Sequence, residues 1–208
     1  MGDIPFTKNR TGPEREAAIR AAVNSADRLP SMTQHSRLAV AGDESIFLKF
    51  LESPEVHNWI YSLPKPLTME SVAAFIADGL SARERGEGLL SLNFDEDGAV
   101  SGYTEVLIWP EWAAGEVGGA IRPDLQNRGQ GGAGMAATFT WMFETLDLDI
   151  ICNTTALDNF RMQKLFARMG FEHKGDTQSV RPDGTFRPSQ IWEITREAWL
   201  ANVRERSS

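Results

Sequence analysis

The chain has 208 residues, 41% of them hydrophobic, a single cysteine and a formal net charge of −8. That length and apolar content suit one domain with one core, one cysteine excludes an internal disulfide, and the acidic balance argues against a nucleic-acid partner, whose phosphates call for a basic stripe. No apolar run reaches the roughly eighteen residues of a membrane span and nothing in the N-terminal residues predicts a signal peptide, so no membrane partner is expected and the expected location is cytoplasmic.

Residues 1–30 read as an N-terminal extension. Ile19, Ala22, Val23, Ala26 and Leu29 fall at helical spacing behind Pro13, which suits a first helical turn. They predict a short amphipathic helix that packs on its own domain or on the second subunit of a homodimer. Residues 31–204 read as a single domain. It opens with a strand over 36–41 and helices over 43–52 and 68–85, the second capped by Thr68, with a proline-rich turn at 63–66 between them. Residues 89–94 and 99–109 read as an antiparallel hairpin about Asp95-Glu96-Asp97-Gly98, and 116–121 adds a third strand. From there strand and helix alternate as at a parallel junction: helix 129–146, strand 149–153, helix 158–169, strand 171–177. A last hairpin turns at Pro182-Asp183-Gly184 and returns over 189–195, and 204–208 reads as a frayed tail. Cys152, in the apolar run Ile150-Ile151-Cys152, reads as a buried, inert thiol.

The most informative stretch runs from Glu116 to Met142, where an apolar strand leads into Gln126-Asn127-Arg128-Gly129-Gln130-Gly131-Gly132-Ala133-Gly134 and then a helix. Glycines let the backbone come close to a ligand, and the unpaired N–H groups of a first helical turn face any anion placed there. A P-loop is excluded, because no Gly-Lys-Ser/Thr closes the run. Gly129, Gly131 and Gly134 do spell the dinucleotide fingerprint. However, the loop 122–128 separates them from the strand, and the next strand ends in Asn153 rather than an acidic residue.

Gln126-x-x-Gly129-x-Gly131 resembles the Q/R-x-x-G-x-G/A pyrophosphate motif of the GNAT acyl-CoA N-acyltransferases. The strand ending at Arg122-Pro123 before it, and Asn159 followed by a helix closing on Gly170-Phe171 after it, are similar to that family in the same order. The stretches 50–60 and 67–76 resemble the opening helices of its RimJ/RimL branch. The resemblance spans about 36–195 and leaves residues 1–30 outside. It implies an α+β (mixed α/β) fold: a mostly antiparallel central sheet of about seven strands, splayed at one parallel junction and flanked by helices. It also implies acetyl-CoA as cosubstrate and no metal. Backbone groups at Ala120, Ile121 and Arg122 would bind the pantetheine arm and polarise the thioester carbonyl. The run Gln126, Asn127, Arg128, Gly129, Gln130, Gly131, Gly132 and Ala133 would hold the pyrophosphate. Asn159 would bond near the pantetheine, and Phe166 would line the sulfur pocket or belong to the core.

Acyl transfer to an amine needs a neutral nucleophile, yet a lysine titrates near about 10.4 and an α-amine near about 8, so a proton must be removed. Glu116 is the first candidate base, because it shares a strand face with the small residues Gly118 and Ala120; a solvated edge carboxylate is the competing reading. Glu105 on the neighbouring strand is second and His57, on the acceptor side, third. Trp59, Tyr61, Trp109 and Trp112 are candidates for the acceptor pocket, each equally readable as core or incidental surface. Many members of the family carry Tyr where this chain has Phe166, and the related α-amino acetyltransferases carry Glu about where Thr154 stands, so no general acid is assigned. The function implied is an N-acetyltransferase acting by direct attack of a primary amine, either a protein N-terminus or a small molecule. The alternative is a non-catalytic acyl-CoA-binding or sensor module of the same fold.

Overall fold

The computed structural model describes residues 5–30, 35–58, 60–126 and 130–206, without the side chains of Gln130, Gly131 and Arg206. Among them the strands β1 (Ser36–Leu38), β2 (Gly88–Phe94), β3 (Val100–Trp109), β4 (Ala114–Ile121), β5 (Ile150–Ala156), β6 (Glu172–Val180) and β7 (Phe186–Thr195) form one sheet, ordered β1-β2-β3-β4-β5-β7-β6. Every neighbouring pair is antiparallel except β4 and β5. This is the mixed α/β sheet that the sequence led us to expect.

Alternation along the strands sends side chains to two separate cores. Leu89, Val106, Ile108 and Val117 face one side, where α1 (Pro13–Ser25), α5 (Gln130–Glu144), α6 (Phe160–Met169) and α7 (Arg196–Arg206) cover them with Ile19, Val23, Phe139, Phe143, Phe166 and Trp199. Leu90, Leu92 and Tyr103 face the other, beneath α2 (Glu44–Leu51), the short α3 (Pro54–His57) and α4 (Met69–Glu84). Thr68 caps α4 as expected: its side chain accepts from Ser71 N, and Ser71 Oγ accepts from Thr68 N.

The sequence reading differs from the structure at the C-terminus. Residues 196–203, given no element from sequence, form α7, which runs on through Arg206 into the stretch read as a frayed tail. Trp199 anchors the helix, its ring 5.6 Å from that of Phe139 and its Nε1 donating to Thr140 Oγ1 at 3.0 Å, while Arg196 pairs with Asp147 at 2.7 Å. At the N-terminus α1 packs on its own domain, with Ile19, Val23 and the following Leu29 all buried in the larger core. Arg15 fixes it to Asp147 and Asp149 at 2.9 and 2.7 Å. Ahead of α1, Phe6 N, Thr7 N and Thr7 Oγ1 donate to the buried carboxylate of Glu193 on β7 at 2.7, 2.9 and 2.6 Å. No helix among the described residues is long and apolar enough to cross a membrane.

Candidate active site

The β3–β4 ladder pairs Glu105 with Gly118 and Leu107 with Glu116. Residues opposite one another share a face of the sheet, so both carboxylates stand on the side of Tyr103, beneath α2 and α4. Next to them the sheet opens. β4 and β5 pair only at Ala114↔Ile150 and Gly115↔Ile151 and then part. Asn153 spans the gap just beyond, with its Nδ2 donating to Val117 O at 2.6 Å; its Oδ1 is buried with no partner among the described residues. A cavity of about 1540 Å³ follows this gap. Its wall runs from Gly132 and Ala133 in the first turn of α5, past Ala120 and Ile121, to Glu105, Glu116 and Tyr61.

Burial and charge set the chemistry of this wall. Glu116 is only 6% exposed. Burial pushes its carboxyl up, while Thr154 N at 3.0 Å and Thr154 Oγ1 at 2.9 Å, both donating to its Oε1, favour the charged form, helped by Arg187. The Glu105 carboxyl is pushed up to about 7, first by burial and then by the charge of Glu116. The Tyr61 phenol is raised first by the charge of Glu116 and then by burial. The Arg187 guanidinium lies 4.3 Å from the centre of the Tyr61 ring, and burial lowers its proton affinity.

The structure gathers some of the residues named from sequence and separates others. Glu105, Glu116, Ala120, Ile121, Gln126, Gly132, Ala133, Tyr61, Asn159 and Phe166 all border the cavity. Arg122 does not border it. Its N–H donates to Ser101 O at 2.8 Å, which turns it toward β3, and its guanidinium binds Asp124 and Asp95, each at 2.7 Å. Gln126 braces the turn after β4, with Nε2 donating to Ile121 O at 3.0 Å and Oε1 accepting from Arg161 at 3.1 Å. Asn159 caps α6, its Oδ1 accepting from Met162 N at 3.2 Å. Phe166 is a core residue, 1% exposed and 5.3 Å from the Phe171 ring.

His57 and Trp109, placed at the acceptor from sequence, lie outside the cavity wall. His57 Nδ1 sits 3.0 Å from Leu51 O, tying α3 to the end of α2. Trp109 packs with Cys152 and Ile191 near the end of β3, and the Trp112 ring lies 5.3 Å from the guanidinium of Arg10. Cys152 is fully buried, and burial pushes its thiol up, as expected of an inert side chain. Trp59, Asn127, Arg128 and Gly129 fall outside the described residues, as do the side chains of Gln130 and Gly131. Sequence reasoning did not single out Arg187, Asn153 or Tyr103. Arg187 sits in a stretch that read as a turn and reaches the site only because β7 folds back beside β5. Tyr103 had a weak signal, alternating with Glu105 along one strand.

The site is thus a cleft at the parting of the one parallel pair, with the carboxylates of Glu105 and Glu116 on its wall. The acetyltransferase (GNAT) domain profile matches residues 37–172, and the chain belongs to the GNAT acetyltransferase family. No curated protein matches the chain. Among solved structures it is similar in fold to the ribosomal-protein-S5-alanine acetyltransferase from Vibrio fischeri, at 17% identity over 79% of this chain and 93% of that one, with a TM-score of 0.65. It is likewise similar to Mycobacterium smegmatis RimJ in complex with CoA-disulfide, at 15% identity over 86% and 92%, with a TM-score of 0.67. Spermidine N-acetyltransferase from Vibrio cholerae, in complex with CoA and spermine, shares 16% identity over 79% and 96%, with a TM-score of 0.65.

Proposed function

We propose that this protein is an N-acetyltransferase that transfers the acetyl group of acetyl-CoA to a primary amine by direct attack. The observation that carries this reading is the Glu105–Glu116 pair, Glu116 buried and Glu105 half-buried, on adjacent strands at the wall of the cavity that follows the β4–β5 gap. The cavity fits acetyl-CoA. The small residues Gly118 and Ala120 leave room beside the carboxylates, the strands separate where an extended arm would lie, and the first turn of α5 supplies N–H groups at the far end.

In the reaction the amine nitrogen bonds to the thioester carbonyl carbon, the carbon–sulfur bond breaks, and the nitrogen gives up a proton. The two carboxylates act as a coupled pair in taking that proton. Glu105, near 7, is poised between its two forms, and charge on Glu116 sustains its basicity. The acceptor is a cationic amine before it loses its proton, and Glu55, Glu105, Glu116 and Asp158 offer it carboxylates on a cavity wall that Arg161, Arg168 and Arg187 also border. Protein N-termini and small polyamines are both acceptors of this kind.

The test is release of free thiol from acetyl-CoA in the presence of a panel of peptides with free N-termini, amino acids and spermidine. Turnover that disappears in Glu105→Gln and Glu116→Gln supports the proposal. Tight CoA binding without turnover on any amine would favour the non-catalytic module instead.

A further inference from the structure

Primary amines differ in what stands next to the nitrogen. Amino acids, and peptides with an acidic residue near the N-terminus, carry a carboxylate close to the amine, whereas polyamines carry only positive charge. Carboxylates at the site attract both kinds, so selection between them needs a cation on the same side of the sheet. Three arginines border the cavity among the described residues. Arg161 and Arg168 belong to α6, which packs on the larger core. Arg187 belongs to β7 and stands on the other face. Thr154 pairs with Ile191, residues opposite one another share a face, and so do residues four apart along a strand. Arg187 is therefore on the side of Thr154, whose Oγ1 bonds Glu116, while Trp192 turns to the larger core. Two contacts fix its guanidinium there. It lies 4.3 Å from the centre of the Tyr61 ring, and its Nε donates at 3.0 Å to the buried Ser189 Oγ, which also accepts from Ser179 Oγ at 2.9 Å. Tyr61, Arg187, Glu105 and Glu116 all border the one cavity.

We propose that Arg187 sets acceptor specificity by binding a carboxylate of the acceptor, so that the preferred substrates are amines with an acidic group close by: free amino acids or peptides acidic next to the N-terminus. The inference deepens the acetyl-transfer reading above and rests on it. Anions on one side of the β4–β5 gap and a cation on the other match a molecule that carries both charges. Glu105 and Glu116 take the amine's proton, and Arg187 holds the carboxylate without making or breaking a covalent bond. Burial and the nearby charge of Arg181 work against the charge on this guanidinium, while Glu116 and Asp158 favour it, and a carboxylate brought by the acceptor adds to the favourable side. A guanidinium held in a fixed plane also recognises the flat carboxylate by shape as well as by charge. A polyamine placed in the same cavity meets like charge at Arg187.

The experiment compares kcat/KM for matched acceptors that differ in one carboxylate: alanine against alaninamide, and a C-terminally amidated peptide with aspartate at its second residue against the same peptide with asparagine, beside spermidine. Wild type, Arg187→Gln and Arg187→Lys are measured, each with its CoA affinity by calorimetry to show that the cleft is intact. Wild type should favour the acid of at least one pair by about tenfold or more, and Arg187→Gln should bring that ratio within about twofold of unity. Arg187→Lys, which keeps the charge, should keep part of the preference, and it carries the test if the glutamine variant does not fold. The responding pair tells a free amino acid from an acidic peptide. Equal use of acid and amide in both pairs by wild type would overturn the proposal, and so would an Arg187→Gln enzyme that loses equally on both members, the mark of a structural role. Wild-type protein that releases no thiol with any of these amines sinks the acetyl-transfer reading by itself. Calorimetric titration of the same acids and amides in the presence of CoA then decides for Arg187: acid-selective binding that Arg187→Gln removes keeps the carboxylate site, and its absence overturns it.

Discussion

Glu105 and Gly118 stand opposite one another in the β3–β4 ladder, and a Cβ placed on Gly118 would lie 3.8 Å from Glu105 Oε2, an ordinary contact. The absent side chain leaves space beside this carboxylate. Gly118→Ala is therefore expected to fold and to turn over with a modest rise in amine KM. Gly118→Leu fills the same space and should raise that KM at least about tenfold at unchanged CoA affinity. Steady-state kinetics beside calorimetry reads both. Equal behaviour of the Leu variant and wild type would remove the acceptor from this wall.

The neighbouring glycine answers to a different constraint. Gly119 has φ +145°, and a Cβ there would collide with the carbonyl oxygen of Tyr103. Gly119→Ala should cost about 1–3 kcal/mol through backbone strain alone, with more from the collision. Thermal melts of the two alanine variants side by side are expected to show a large drop for position 119 and a small one for 118.

The elevated proton affinity of Glu105 has a kinetic and a thermodynamic consequence. As a base it works when deprotonated, so kcat/KM should rise as pH increases through about 7, and Glu105→Gln should abolish that limb and lower kcat by roughly 10²- to 10³-fold. In the folded chain the carboxyl keeps its proton up to about 7, whereas the unfolded chain releases it near the ordinary 4.5. The folded state thus binds more protons between these values, and this group's contribution to stability falls as pH rises across that window. At pH 8 the neutral Gln variant should be the more stable by on the order of 1–3 kcal/mol, as chemical denaturation would measure.

Residues 1–30 lie outside the stretch that resembles the family, yet the described part of them is not separate in packing. Ile19, Val23 and Leu29 are 1%, 0% and 2% exposed, within the same core as Phe139 and Trp199. Burial of such side chains contributes about 1.5–3 kcal/mol each, so a chain beginning at residue 31 should melt far below the full-length protein or fail to accumulate in soluble form. A truncated chain that melts at the full-length temperature would restore these residues to the status of an appendage.

Much of this fold could be read from local pattern, because local pattern is what fixes it. The Asp95–Gly98 turn, the Thr68 cap and the strand–helix alternation after Ile121 depend on neighbours a few residues away, and they stand where spacing placed them. Glu116 was named for sharing a face with Gly118 and Ala120 and Glu105 for lying on the neighbouring strand, and the β3–β4 pairing sets both carboxylates on one wall of the cavity. The rest depends on contacts across the chain. Trp109 was read toward the acceptor, but its place in the sheet puts it against Cys152 and Ile191 instead. Asn159 could be placed at a helix start, though spacing could not reveal that its oxygen is engaged by Met162 N. Arg187 lies far along the chain from the glycine-rich motif and is brought to the site by the β5–β7 pairing, which nothing in its own neighbourhood announces. Trp199 shows the same limit, since its burial depends on aromatic rings in α5.

The sheet is in effect two leaves, β1 to β4 and β5 to β7, stitched by the backbone pairs Ala114↔Ile150 and Gly115↔Ile151 and, farther down, by the side chain of Asn153. An extended ligand lodged between the leaves takes the place of a missing strand, so its free concentration governs how firmly the halves of the molecule are held together. CoA at one hundred times its dissociation constant should add about 2.7 kcal/mol to the unfolding free energy, visible as a melting temperature that climbs with dose. In a cell the supply of acyl donor would then set this protein's lifetime as well as its rate of turnover.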